Sequence, residues 1–525
     1  MAETVESWKP KYNPWLIAVV VAMAAFMEVL DTSIANVALP HLAGDLGASN
    51  DESTWVLTSY LVSNAIVLPI SGWLATAFGR KRFFMMCIVL FTLASLLCGV
   101  APSLGALILF RIIQGAGGGG LQPMAQAILA DTFPPEKRGL AFALYGVTAI
   151  MAPTIGPTLG GWLTDNYSWR WIFYINLPVG IAALLLVLRM VEDPPYLAAR
   201  RGAGIRVDYV GIGFLTVAIG ALQVMLDKGQ EDDWFGSHFI LTLAIVSALG
   251  FIFLIVWELR HDAPIIDLRM FKSFNFSVAC FMMFNLGVLL FASLVMMPQF
   301  LQTLMGYTAE SAGLVLSGAS VIILLEMPLV GQLTTKIPAK YIMAFGWLAL
   351  AVGMYISTKR LDLLISFSAA SRLRIWQALG LGFLFVPINL SSYVGVPPEK
   401  GNSVSGLVNF MRNMGSSVGT SMVTTILARR AQFHQTMIAY HATNYDPAFR
   451  DQITGLSAQL GHSGLSPADA QVQAFGRAYG DVLAQSQTLA YVDTFMMLAV
   501  AAAVMFVLSF LMRRNSVGGA PVMME

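Results

Sequence analysis

The chain of 525 residues is 57% apolar and only 12% charged, whereas an ordinary soluble protein carries roughly 25% charged residues. Its formal net charge of +1 offers no global attraction to a polyanion, so nucleic-acid binding has no support. The three cysteines, Cys87, Cys98 and Cys280, fall inside apolar runs and read as small core residues, not as a disulfide framework.

Long uncharged stretches recur between residues 15 and 512. A helix needs about 20 apolar residues to cross the hydrocarbon core, and only helices or closed barrels satisfy their backbone groups there. The runs are continuous rather than alternating, so helices are predicted. In chain order they lie near 15–38, 55–75, 83–102, 105–128, 139–162, 171–190, 208–226, 238–257, 276–298, 309–332, 341–357, 372–393, 404–427 and 490–512. The first follows Lys9 and Lys11 with no small-residue cleavage site behind it. It reads as a membrane helix and not as a signal peptide.

Basic residues in the short connections set the orientation. One side collects Lys9 and Lys11; Arg80, Lys81 and Arg82; Lys137 and Arg138; Arg200, Arg201 and Arg206; Arg260, Arg269 and Lys272; Lys336 and Lys340; Lys400; and Arg513 and Arg514. The other side has Arg170, Lys228, Lys359 and Arg360, and the connections 39–54, 101–106 and 299–308 have none. Both termini are therefore expected in the cytoplasm, which requires an even number of spans. One long exterior segment, 428–489, carries Arg429, Arg430, Arg450 and Arg477, but long loops escape the charge rule.

An internal repeat organises the chain. Gly72-Trp73-Leu74-Ala75-Thr76, ending in Lys81, matches Gly331-Gln332-Leu333-Thr334-Thr335, ending in Lys340. Arg111-Ile112-Ile113-Gln114 matches Arg374-Ile375-Trp376-Gln377, and Pro134-Pro135-Glu136-Lys137 matches Pro397-Pro398-Glu399-Lys400. The offsets are 259, 263 and 263 residues. Six spans take roughly 180–190 residues at this spacing, and the excess fits two inserted spans. The expected plan is a cytoplasmic N-terminus at 1–14, a six-helix half at 15–190 and two inserted helices at 208–257. A second six-helix half at 276–512 includes the exterior segment 428–489, and 513–525 is a cytoplasmic tail. Two such halves around a midplane site describe an alternating-access transporter.

Charges inside spans must face protein or a cavity, because lipid exposure costs about 2.5–3.5 kcal/mol or more. The first span carries Glu28 and Asp31 on one face, then Thr32, Asn36 and Pro40. A buried carboxyl can hold a proton near neutral pH. The fourth carries Arg111, Gln114 and Gly115, then Gly117 to Gly120. No Gly-Lys-Ser/Thr follows, so there is no Walker loop, and close helix packing explains the glycines. The fifth, Ala152-Pro153-Thr154-Ile155-Gly156-Pro157-Thr158-Leu159-Gly160-Gly161, reads as a bent, tightly packed helix with a gating role. Glu326, before Pro328, and Arg412 are further functional candidates. Helix-end carboxylates such as Asp131, Asp208, Asp227 and Asp493 read as interfacial. Ser466-Pro467-Ala468-Asp469 reads as a helix start, with helix favoured through 470–489.

These segments resemble the major facilitator superfamily, in its fourteen-helix drug:proton antiporter branch. Leu30-Asp31-Thr32-Ser33-Ile34-Ala35-Asn36-Val37-Ala38-Leu39-Pro40 is similar to that branch's first-helix signature. Arg111 to Gly115 resembles its fourth-helix motif, and Ala152 to Gly161 resembles the antiporter motif. Leu226-Asp227-Lys228-Gly229, Trp257-Glu258-Leu259 and the long exterior segment resemble the EmrB type, and the likeness covers nearly the whole chain. It implies an all-α membrane protein of two six-helix halves plus two helices, which exports hydrophobic toxic compounds in exchange for protons. It also implies a periplasmic adaptor and an outer-membrane channel as partners, and the inner membrane of a Gram-negative bacterium as location. No cofactor or metal is implied. One departure stands out: the family's loop between helices two and three has an Asp where this chain has Thr76. That would leave Arg80 and Lys81 without their usual partner, and Gly72, Gly79, Arg80 and Lys81 without the charge lock of the family's gate.

The expected proton carrier is Asp31 with Arg111 as partner, Glu28 ranking second as relay or substrate contact. A nearby guanidinium favours the charged carboxylate and burial the neutral acid, so a pair that forms and breaks would take up and release a proton. Glu326, Gln114, Asn36 and Arg412 are the expected substrate contacts. Alternatives are an exporter or symporter of one metabolite, a membrane-embedded enzyme, and a receptor or scaffold. The six histidines fall in or beside loops without metal spacing, which argues against the enzyme. Buried Asp31, Glu326 and Arg412 make a scaffold costly.

Overall fold

The computed structural model describes residues 10–194, 207–261, 264–443 and 445–512. Lys9, Arg200, Arg201, Arg206, Arg513 and Arg514 lie outside the described residues, as do the tail at 513–525 and most of the segment 1–14. Among the described residues there are eighteen α-helices and no strand. In chain order they are α1 (Pro14–Leu46), α2 (Asn50–Phe78), α3 (Arg80–Gly99), α4 (Leu104–Gly118), α5 (Leu121–Thr132), α6 (Pro135–Asn166), α7 (Trp171–Tyr174), α8 (Asn176–Met190) and α9 (Tyr209–Lys228). They continue as α10 (His238–Arg260), α11 (Phe274–Thr303), α12 (Ala309–Leu333), α13 (Ala339–Arg360), α14 (Phe367–Ala378), α15 (Gly382–Ser392), α16 (Gly401–His441), α17 (Pro447–His462) and α18 (Pro467–Ser509).

Local chemistry sets where these helices begin. Ser49 accepts the Glu52 N–H while the Glu52 carboxylate accepts the Ser49 N–H at 2.9 Å, a reciprocal capping box. Ser103, Asp208, Thr308, Ser366 and Asp446 cap other helices one way, each with a side-chain oxygen that accepts a backbone N–H. Ser466 caps α18 through the Asp469 N–H, with Pro467 in its first turn.

Among the described residues, thirteen segments are long and apolar enough to cross a membrane. Three of them are broken within the span: α4 with α5, α7 with α8, and α14 with α15. The span expected at 404–427 is the heart of α16, which is long enough, at 41 residues, but more polar than the others. It carries Asn409, Arg412 and Asn413 and a run of Ser and Thr, and it sits in the middle of the molecule against α2, α5, α11 and α18.

Helices before residue 190 pack chiefly on one another, with α1 on α6 and α4 on α2 and α3; those after 274 do likewise, with α11 on α16 and α13 on α18. The two groups meet where α6 packs on α12 and α2 on α16. The hairpin of α9 and α10 lies against α2 and, to a lesser extent, α16.

Several helices outrun the expected spans. At about 1.5 Å per residue, α16 and α18 are each roughly 60 Å long, twice the hydrocarbon thickness of about 30 Å. Hydropathy marks only the part inside lipid, whereas backbone hydrogen bonding carries the helix further. The segment 428–489, expected outside, is therefore mostly helical: the end of α16, all of α17 and the start of α18. There Ile453 and Leu460 of α17 bury against Ala470, Ala474 and Ala478 of α18. Asp493 ties α18 to α16 through Arg430 at 2.5 Å and His434 at 2.7 Å.

Candidate functional site

Glu28 and Asp31 share a face of α1 yet enter different surroundings. Asp31, 2% exposed, is enclosed by α4 and α8. Its carboxylate accepts from Arg111 at 2.6 Å, from Gln114 at 2.9 Å and from Asn176 at 2.7 Å. Arg111 also donates to Gln114 Oε1 and to the Val56 carbonyl, and its guanidinium lies over the Tyr60 ring, 4.2 Å from the centroid. The pairing expected of Asp31 and Arg111 is thus present, with Gln114 and Asn176 completing a closed network. Removing one partner of such a buried pair costs about 3–5 kcal/mol, because the other charge is stranded.

Glu28 lines a cavity of about 560 Å³ between the two groups of helices. It accepts from the Tyr60 hydroxyl at 3.2 Å, Asn64 at 3.0 Å and Gln122 at 2.5 Å. Gln122 also accepts from Tyr145, at 3.1 Å, and from Arg412 of α16. One amide therefore joins the first group's carboxylate to the second group's guanidinium, and no direct ion pair links them. Tyr60 bridges the two clusters, bonding Glu28 with its hydroxyl and carrying Arg111 on its ring. Asn36, Pro153 and Pro157 line the cavity too, and Phe291, Leu294 and Phe385 are among its apolar walls. So does Gln223 of the inserted helix α9, whose buried Oε1 has no hydrogen-bond partner. Tyr60, Asn64, Gln122, Asn176 and Gln223 carry no charge, and nothing in the sequence had set them apart.

Glu326 is not on this wall. It faces the break between α14 and α15, where Oε2 accepts the Gly382 N–H at 3.3 Å and Oε1 has no partner. Gln114, expected to contact substrate, is likewise engaged in the Asp31 network. Of the four expected contacts, only Asn36 and Arg412 line the cavity.

The second group repeats the arginine box without its acid. Arg374 donates to Gln377 at 3.1 Å, as Arg111 does to Gln114. Where Asp31 faces Arg111, Ser293 accepts from Arg374 at 3.1 Å. The cavity thus has a one-sided charge arrangement inside a two-fold frame.

The end of the bundle opposite the α17 hairpin is closed by glycines. A Cβ on Gly72 would lie 2.7 Å from the Ser403 Cα, so side-chain-free backbone seats α2 on α16. Gly331, its repeat counterpart, seats α12 on α6, with a built Cβ 3.0 Å from the Gly139 carbonyl oxygen. Gly79 turns the chain at φ +89°. Thr76 cannot supply a carboxylate, but Arg80 is not left unpaired: it meets Asp131 at 2.5 Å and the Ala127 carbonyl at 3.2 Å. Asp131, read as interfacial, is its partner. Lys81 donates to the Leu188 carbonyl at 2.7 Å, and its N–H to Asp193 at 2.8 Å.

In α6, Pro157 has no N–H for the Pro153 carbonyl four residues earlier. The Ser33 hydroxyl donates to that carbonyl instead, at 3.1 Å, which binds α6 to α1. Gly156 and Gly160 press on Ser33 and Ile34, whereas Gly161 has only Val37 at ordinary contact distance.

The Major Facilitator Superfamily model matches residues 21–420. The chain is 39% identical over 444 residues to the multidrug export protein EmrB of Escherichia coli (strain K12), covering 84% of this chain and 86% of that one. It is 38% identical over 442 residues to the fatty acid resistance protein FarB of Neisseria gonorrhoeae, covering 83% and 85%. Among solved structures, the human organic anion transporter MFSD10 matches with a TM-score of 0.57 at 14% identity, over 95% of this chain and 100% of that one. The proton:xylose symporter XylE matches with a TM-score of 0.57 at 16% identity, over 83% and 97%. At those identities the likeness is one of fold. With the family model spanning most of the chain and EmrB-type multidrug export proteins among its relatives, this multi-pass membrane protein belongs to the Major Facilitator Superfamily.

Proposed function

We propose that this protein is a proton-coupled antiporter that exports hydrophobic drugs or other toxic compounds. The observation that carries the proposal is the pair of linked acids on α1. One lines a cavity between two helix groups, and the other is held by a buried arginine beside it. The relatives named as multidrug export proteins support the substrate class. Under this reading, the N- and C-termini are cytoplasmic, the α17 hairpin is periplasmic, and the membrane is the inner membrane of a Gram-negative cell. The glycine-closed end is then cytoplasmic, and the cavity runs from Glu28 toward Asn36, Gln299 and Thr303 on the outside. Under the same reading this form is outward-facing, and the pairing of Asp31 with Arg111 is the condition that precedes proton uptake.

Mechanistically, Asp31 is the proton carrier and Arg111 its switchable partner. Protonation of Asp31 would release Arg111, and the freed cation must then find other acceptors, which favours rearrangement of α1, α4 and α8. Glu28 meets the cavity first. It exchanges protons or contacts substrate, and Tyr60 couples its state to the Arg111 site. The membrane potential contributes about 2.3 kcal/mol per charge per 100 mV. Arg412, Asn36 and the apolar walls hold the compound. Gly72, Gly79, Arg80 and Lys81 hold the cytoplasmic gate, and the Pro153–Gly161 segment shapes the cavity side of α6. A periplasmic adaptor would dock on the α17 hairpin and lead to an outer-membrane channel. Proteoliposomes with an imposed pH gradient and a panel of compounds test the reading: uptake must follow the gradient and collapse when it is dissipated. Accumulation indifferent to the gradient would rule out proton coupling.

A further inference from the structure

Cations in the short connections of the exterior face are few, which makes a cluster of three conspicuous. Lys359 and Arg360 end α13 and Arg372 lies in the second turn of α14, at the end of the bundle from which the α17 hairpin projects. All three are exposed and line one groove of about 800 Å³ between these helices. Lys359 and Arg360 suit the negative end of α13. Arg372 does not share that explanation, since it lies in the middle of α14. No carboxylate among the described residues approaches any of the three within ion-pair distance. Asp362, the one acid in the groove, instead accepts the Leu364 N–H at 2.8 Å.

The rest of the groove is amphipathic. Tyr355 and Trp376 line it, both nearly half exposed, as aromatic side chains do at the level of lipid headgroups. Lys359 lies 5.6 Å from the Tyr355 ring centroid.

We infer that this groove binds the headgroup of an anionic phospholipid, with Lys359, Arg360 and Arg372 around the phosphate and Tyr355 and Trp376 along the first part of the tails. Under the orientation proposed above, the lipid belongs to the outer leaflet, although binding itself does not depend on that orientation. Such a lipid would brace the α13–α14 turn and neutralise Arg372.

The test uses the full-length protein in mild detergent and native mass spectrometry, titrated with phosphatidylglycerol, phosphatidylcholine or inorganic phosphate. The parent should retain phosphatidylglycerol in preference to phosphatidylcholine. Each cation near an anionic lipid contributes roughly fivefold in affinity, so Lys359→Gln with Arg372→Gln should weaken retention by roughly 25-fold. Lys359→Arg with Arg372→Lys should keep it, which separates charge recognition from misfolding. Equal retention of the two lipids, or a neutralised variant that binds like the parent, would overturn the assignment. Displacement of the lipid by millimolar inorganic phosphate would also overturn it, by placing a free anion in the groove.

Discussion

Replacing Gly72 by alanine should open the end of the bundle that glycines now close. The added Cβ would lie 2.7 Å from the Ser403 Cα, 2.8 Å from its nitrogen and 2.9 Å from the Asn402 carbonyl oxygen. All three are backbone atoms, so no side chain can swing aside, and α2 must part from α16 by about 1 Å. Overpacking of this kind costs about 1–3 kcal/mol. The penalty falls only on the form with this end closed, so that form should lose roughly 5- to 150-fold in population relative to its alternative. Spin labels at Phe78 and Lys336, one on each side of the closed end, would report it by pulsed electron resonance in nanodiscs, after Cys87, Cys98 and Cys280 are replaced. The distance distribution should shift to longer values in Gly72→Ala and, by the repeat, in Gly331→Ala. Gly44→Ala is the control, since nothing lies within 4 Å of its added Cβ. Parent-like distributions in both variants would refute the idea that glycine contact sets this closure.

Gln223→Leu should weaken binding of compounds that hydrogen-bond the cavity wall by roughly two- to tenfold, the range of one neutral hydrogen bond, and leave purely apolar compounds unchanged; fluorescence titration with matched pairs checks this. Glu326→Gln should alter export of cationic, neutral and acidic compounds alike, because the carboxylate faces the break at Gly382 and not the cavity. A selective loss of cations in whole-cell susceptibility assays would place it on the substrate path after all. Deleting residues 450–464 removes most of α17 and uncovers Ala470, Ala474 and Ala478, while the spans remain intact. Insertion should be unaffected and co-purification with a periplasmic adaptor reduced; undiminished co-purification would count against docking at this hairpin.

The charged part of the site was legible because charge in lipid is costly. Asp31 and Arg111 had to face protein, and each could serve as the other's partner. The two repeat glycines were legible as a matched pair suited to close helix approach, but which helices they seat, α2 on α16 and α12 on α6, came only with the packing. Neutral groups carry no such flag. An Asn, Gln or Tyr within a span is inexpensive enough to occur for many reasons, so Tyr60 and Gln122 stood out only once their partners were in place. Glu326 shows the opposite failure. Its charge marked it correctly as buried, but which neighbour it faces depends on the rotation of α12 about its axis, and hydropathy does not encode that. The repeat also hid a difference: Ser293 occupies the place of Asp31, and unlike residues at equivalent positions leave no match to find. The start of α18 was readable from Ser466 and Pro467 because capping chemistry is local, whereas the length of α16 beyond residue 427 was not, because its apolar signal ends at the membrane surface.

The most direct test of proton coupling through Asp31 is substrate-induced proton release from purified protein in weakly buffered detergent solution, read with a pH-sensitive dye alongside equilibrium binding of the same compound. The parent should release protons as the compound binds. Asp31→Asn should bind the compound with little change in affinity and release none, while Glu28→Gln should still release protons at reduced yield. Parent-like release from Asp31→Asn together with none from Glu28→Gln would contradict the account and move the proton to Glu28.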